Sequence, residues 1–278
     1  MRIPIAAALT ALQLAGSPGA AWSQADRDGD FIAAAGSIQR SIAPVMCLRE
    51  MQPQLQPMPQ QQIPPQRQSG GAPLGIASPQ LQPLVAGTAF FLTRRGDFVT
   101  AASVIANFLP QGAFAGCTIM VWFAGPVDAA GNFSSQSFPV ALNDCILDLS
   151  IDVARCRTVG DLAAVNGGRF APEPVAVDDR QPDPGSSIGA SGFILFDNEP
   201  IATRGHIGGY RPAQPNAMQM VIDRPASAWA GGSPIYDGHG RVLGMLVKVN
   251  NVILTDISVA TTSLAISRFL TAHPLANK

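Results

Sequence analysis

Apolar residues change their spacing three times along this chain, and each change predicts a different kind of structure. Over residues 26–50, Phe31, Ile32, Ala35, Ile38 and Ile42 recur at intervals of three to four, the spacing of one helical face. Asp30 stands where it can cap that helix. Residues 51–83 then become rich in Gln and Pro, as in Gln60-Gln61-Gln62-Ile63-Pro64-Pro65, with few large side chains to bury; this reads as a linker or a solvated, extended arm. From Val85 onward short runs of Val, Ile, Phe and Thr alternate with Gly, Pro, Asn and Asp, which predicts many short strands. In residues 84–160 strands are expected over 87–93 and 98–104, flanking the turn Arg94-Arg95-Gly96-Asp97, and over 117–123, 137–142 and 147–156. Residues 160–173 carry little strand signal and divide the β region into halves of similar size. In residues 173–278 strands are expected over 186–192, 201–210, 218–223, 233–236, 241–249 and 252–259, followed by a helix over 263–272 that opens on a capping serine and stops before Pro274.

Composition agrees with turns and short strands. Of 278 residues only 13% are charged, against about 25% in an ordinary globular chain, and there are 27 Gly and 24 Pro. A formal net charge of -1, with no run of Lys or Arg, argues against nucleic acid and against anionic membrane surfaces as partners. Met1 and Arg2, the apolar run 3–16 and the small residues around Ser23 and Ala25 predict a secretory signal peptide over residues 1–25. The run is shorter than the roughly 20 residues that span a bilayer, so no stable membrane insertion is expected after its removal.

Export places Cys47, Cys117, Cys145 and Cys156 in an oxidising compartment, where an even count favours disulfides over metal ligands. If 117–123 and 137–142 pair as a hairpin, the register that sets Phe123 near Ser137 or Phe138 also sets Cys117 across from Cys145. That leaves Cys47 for Cys156, one of three possible connectivities. No Cys-x-x-Cys spacing occurs. Asp26-Arg27-Asp28-Gly29-Asp30 lacks the glutamate that closes a calcium loop, and the Gly-rich stretch 185–192 precedes a strand instead of a helix, so it is no phosphate cradle. No metal and no cofactor is expected.

Three ordered segments resemble the trypsin-like serine peptidases, in particular their bacterial HtrA or Deg-like branch. Gly87-Thr88-Ala89-Phe90-Phe91-Leu92 followed by Gly96-Asp97-Phe98-Val99-Thr100-Ala101-Ala102-Ser103-Val104 is similar to the family's opening hairpin, which ends Val-Thr-Asn/Ala-Ala-His-Val. Asp148-Leu149-Ser150-Ile151-Asp152-Val153 is similar to its Asp-Leu-Ala-Leu-Leu-Lys. The stretch from Gly231-Gly232-Ser233-Pro234 to Gly244 is similar to Ser-Gly-Gly/Ser-Pro-Val-x-Asp-x-x-Gly-x-Val-x-Gly. The resemblance covers about residues 85–272 and implies an all-β fold: a double antiparallel β-barrel, six strands in each, with an N-terminal and a C-terminal helix and a cleft between the barrels.

The resemblance also assigns the site. Family chemistry needs a hydroxyl nucleophile, an imidazole that takes its proton and a carboxylate that orients the imidazole. Ser103 stands at the imidazole position, Gly231 (or Ala230 in a shifted alignment) at the nucleophile position, and Asp148 at the carboxylate position. Trp229 occupies the place of a glycine beside the oxyanion hole. Ser233 as a substitute nucleophile would need a base, for which His206, His239 and His273 are the candidates. The sequence therefore points to an exported family member, periplasmic or extracellular, that has lost its catalytic machinery and binds peptide or protein segments. The alternatives are an active serine endopeptidase with a non-standard site and a purely structural secreted protein.

Overall fold

The computed structural model describes residues 30–50, 81–127, 133–193, 199–214, 217–224, 230–247 and 257–274; the expected signal peptide, most of the Gln/Pro-rich stretch and Trp229 lie outside them. A helix over 30–39 (α1) opens the described chain. It ends two residues before β1 (Ile42–Glu50), which corrects the helical reading of 26–50. Pro44, which has no N–H to donate and keeps its predecessor out of helical backbone, bars a helix from running through to residue 50, and Ile42 is already strand.

The first half is one antiparallel sheet of seven strands. After β1 come β2 (Leu81–Phe91), β3 (Asp97–Thr100), the one-turn helix α2 (Ala102–Ala106), β4 (Thr118–Val127), β5 (Phe133–Val140), β6 (Ile146–Asp148) and β7 (Val153–Arg157). Their order across the sheet is β5-β4-β1-β2-β3-β7-β6. The sheet curls until the end of β5 meets the continuation of β7: Val140 bridges Thr158, and the Val159 N–H donates to the Pro139 carbonyl at 2.7 Å. Seven strands instead of six follow from β1, which slots between β2 and β4. The expected strand 98–104 is shorter because the chain turns into α2, and the expected strand 147–156 is two strands joined by a turn at 149–152. An aromatic file, buried at Phe91, Phe98 and Phe138 and half-buried at Phe123, fills this half, with ring centroids of Phe91 and Phe98 5.5 Å apart, Phe91 and Phe123 5.3 Å, and Phe123 and Phe138 5.9 Å.

The second half is a closed barrel. Its strands are β8 (Ser187–Gly192), β9 (Ile201–Gln214), β10 (Ala217–Ile222), β11 (Pro234–Tyr236), β12 (Val242–Leu246) and β13 (Ser258–Thr262), ordered β10-β13-β12-β11-β8-β9 around the ring. Ile188, Ile207, Met220, Ile235, Leu243 and Leu246 pack its interior. The final helix, α3 (Ser263–Ala272), has the expected range. Its cap, however, is Thr262, whose hydroxyl accepts from the Ala265 N–H, while Ser263 is already its first helical residue.

The two halves are stitched by chain, not only by packing. In the connecting segment Val175 donates to the Phe91 carbonyl at 3.0 Å, and Val242 donates to the Ala176 carbonyl at 2.9 Å. The N-terminal segment bridges them a second time. β1 lies in the first sheet, but α1 rests on the second barrel, with the Arg204 guanidinium 4.5 Å from the Phe31 ring centroid and Gln39 Nε2 donating to the Pro200 carbonyl at 3.4 Å.

All four cysteines are bonded, and the pairing corrects the expected one: Cys47 joins Cys117 and Cys145 joins Cys156. Strand register is the cause. β1 runs beside β4 with Leu48 opposite Thr118, which brings Cys47 to Cys117. β6 runs beside β7 with Ile146 opposite Arg155, which brings Cys145 to Cys156. The β4–β5 hairpin does form, with Phe123 opposite Gln136, but the chain leaves it at Val140 for a tight turn over Leu142–Asp144. Two such bonds mark a chain that folds in an oxidising, extracytoplasmic compartment. Among the described residues no helix is long and apolar enough to cross a membrane.

Candidate functional site

The site is built where β3 gives way to α2. β3 is fully buried, and Ala101, in extended backbone, turns the chain into the single turn Ala102–Ala106. Ser103 is thereby lifted, half-buried, toward the turn between β6 and β7. Both of its polar groups are engaged there: its N–H donates to Asp152 Oδ1 at 2.6 Å and its hydroxyl to Asp152 Oδ2 at 3.0 Å. Asp152 is the one non-glycine among the described residues with positive φ, at 54°, a conformation that short polar side chains tolerate best. Two hydrogen bonds to Ser103 offset that strain, and the Thr261 hydroxyl holds the preceding carbonyl, of Ile151, at 2.5 Å.

Asp148 is not the carboxylate that faces Ser103. Its Oδ1 accepts from the Ser150 N–H at 2.8 Å and the Ser150 hydroxyl at 2.6 Å. Burial pushes its pKa up, but the bonds from Ser150 and Ile151, with His273 nearby, outweigh this and hold it below the usual carboxylate range. The residue that the sequence reading missed is Asp152, and its signal was present. Asp152-Val153-Ala154 fits the quoted Asp-Leu-Ala pattern as well as Asp148-Leu149-Ser150 does, and only the later register leads directly into a buried strand.

Gly231 comes to the same junction from the second barrel. Its carbonyl accepts the Thr88 N–H at 2.9 Å, and a β-carbon placed on it would meet Val104 Cγ2, the neighbour of Ser103, at 3.4 Å. Around it the Gly232 N–H donates to the Leu246 carbonyl and the Ser233 N–H to the Ala230 carbonyl. Gly232 has φ of 87°, and a β-carbon there would overlap the Thr88 carbonyl and the Thr100 hydroxyl. This approach of backbone to backbone requires glycine.

Ser233 is buried, with 1% of its surface exposed, and its hydroxyl donates to Thr88 Oγ1 at 3.3 Å. A nucleophilic serine needs a base within hydrogen-bond reach, and the histidines sit elsewhere. His206 on β9 pairs at 3.1 Å with Asp223, just past the end of β10, His239 is exposed at the tip of the β11–β12 turn, and His273 lies against Phe269. Among the described residues no group of three or more His, Cys, Asp and Glu side chains is placed to hold a metal ion.

Comparison with known proteins agrees with this architecture. The family model for the trypsin-like peptidase domain matches residues 87–245. Among solved structures, that of Deg5 superposes with a TM-score of 0.58 at 17% identity, covering 90% of this chain and 97% of that one. The HtrA-type protease AlgW, solved with a decapeptide, gives 0.58 at 14% identity over 87% of this chain and 68% of that one. The active form of the Rv3671c protease from M. tuberculosis gives 0.55 at 16% identity over 91% and 88%. No curated protein sequence matches the chain.

Proposed function

The chain belongs to the trypsin-like peptidase domain family, and on that premise we propose that it is an exported member without peptidase activity, which binds extended peptide or protein segments. The observation that carries this reading is the Ser103–Asp152 pair. The carboxylate that would orient an imidazole instead holds a serine by N–H and hydroxyl, and a serine hydroxyl does not accept a proton near neutral pH. Gly231, at the nucleophile position, offers no attacking atom. Binding without hydrolysis is supported by the fold, since an extended segment can add to a strand edge by main-chain hydrogen bonds alone. AlgW was solved with a decapeptide, and the same mode of use is proposed for this chain. With its two disulfides the protein works in the periplasm or outside the cell.

The test has two arms. Casein, small peptide esters and a fluorophosphonate probe are offered to the full chain; the expected result is no turnover and no labelling above background. Labelling traced to any serine overturns the inactive reading. In the second arm a library of decapeptides is screened for binding by calorimetry, and the absence of any binder removes the peptide-binding half of the proposal.

A further inference from the structure

Beside the β6–β7 turn a cavity of about 290 Å³ opens between that turn, the start of β10 and α3. Ile151, Met218, Leu264 and Phe269 give it an apolar lining, and Asp148 and Arg268 contribute opposite charges. We propose that this cavity anchors one bulky apolar side chain of an extended peptide, whose neighbouring acidic residue pairs with Arg268. The proposal rests on the peptide-binding reading above and gives it a place and a chemistry.

Four observations carry it. First, large apolar side chains remain in water here: Met218, in the lining, is 39% exposed, and Leu149, on the adjoining turn, is 66% exposed. Second, the volume is at the small end of ligand pockets, which begin at roughly 300 Å³; it suits a single leucine- or phenylalanine-sized group. Third, neither Arg268 nor Gln181, both in the lining, makes a hydrogen bond or ion pair with another described residue, so no described side chain takes up their donors. Asp148, by contrast, already takes two bonds from Ser150. It repels a second carboxylate, so an acidic neighbour is directed to the Arg268 side and the orientation is set. Fourth, the turn that forms one wall also carries Asp152, which faces Ser103; a peptide anchored here lies next to the junction of the two halves.

The test uses calorimetry of the full chain with an acetylated, amidated peptide Gly-Ser-Glu-Phe-Gly-Ser. Replacing its Phe by Ala is expected to weaken binding by at least about tenfold, the loss that follows from leaving a phenyl group unburied. Arg268→Glu is expected to reverse the preference, so that the peptide with Lys in place of Glu binds better. Ala265→Trp, which fills the cavity, is expected to abolish binding of both; should that variant fail to fold, the charge reversal at exposed Arg268 decides alone. A decapeptide library that binds the wild type, Arg268→Glu and Ala265→Trp proteins alike overturns the site and leaves peptide binding standing. A wild-type chain that binds neither the hexapeptide nor any library member overturns both. Dodecanoate binding that depends on Arg268, with no binding of the hexapeptide, identifies a fatty-acid site and overturns the peptide assignment.

Discussion

Gly231 and Gly232 are neighbours with opposite tolerance for a side chain. Gly231→Ser places a β-carbon against Val104 at ordinary contact distance and is expected to leave the melting temperature nearly unchanged. Gly232→Ser drives one into the Thr88 carbonyl from a left-handed backbone, and is expected to cost on the order of 3 kcal/mol or more in urea unfolding. Activity follows the same local logic. Triad members act as a unit, so Ser103→His alone and Gly231→Ser alone are expected to give no fluorophosphonate labelling. The triple change with Trp229→Gly is the combination in which labelling is expected. In that background Asp152→Asn should lower the rate by about 10⁴-fold, the effect of losing the orienting carboxylate, whereas Asp148→Asn should leave it nearly intact; the reverse pattern would return the role to Asp148. The motif was therefore legible in the sequence but its register was not. Both aspartates begin a matching pattern, and only the pairing of Val153–Arg157 with β3 separates them.

At the scale of elements, disulfides test the topology most directly. Non-reducing peptide mapping is expected to join the Cys47 fragment to the Cys117 fragment and Cys145 to Cys156; any crossed pair contradicts the strand order. The sequence separations are 70 and 11 residues, for which loop closure gives about 4 and about 3 kcal/mol respectively. Cys47→Ser with Cys117→Ser should accordingly lower the urea midpoint more than the Cys145 and Cys156 double change. Most strands of the two halves, and α3 to the residue, could be read from turn residues and apolar runs. β1 could not, because its first residue continues a helical spacing and the partners that make it a strand, β2 and β4, lie far along the chain. Without β1 in the sheet, Cys117 had no partner but the one a hairpin offers.

For the molecule as a whole, composition alone suggests a division near residues 160–173, whereas nothing in it announces the segment that hydrogen-bonds the sheet to the barrel. Asp178 lies in that segment. Arg180 bonds both of its oxygens, and Arg241, beyond β11, stands 3.7 Å away. The Arg180 hydrogen bonds hold its carboxyl down to about 2, against an ordinary 3.8, overcoming the opposing effect of burial. The native state thus binds fewer protons than the unfolded chain between these values, so this contribution is complete above about pH 4 and is lost as pH falls toward 2. Asp178→Asn should lower the urea midpoint at pH 6, with the difference from wild type vanishing near pH 2; a constant difference across that range would show that the effect is packing and not charge. The position of β1 has a kinetic consequence as well. A middle strand of the first sheet is the first strand of the chain, yet both strands that flank it are made later. While the polypeptide emerges from its amino end, Cys47 waits through the synthesis of all of β2 before its proper thiol exists. Oxidation to Cys145 or Cys156 instead would hold β1 away from its slot and trap a chain with a split sheet. Correct maturation therefore depends on thiol exchange continuing until β4 has docked.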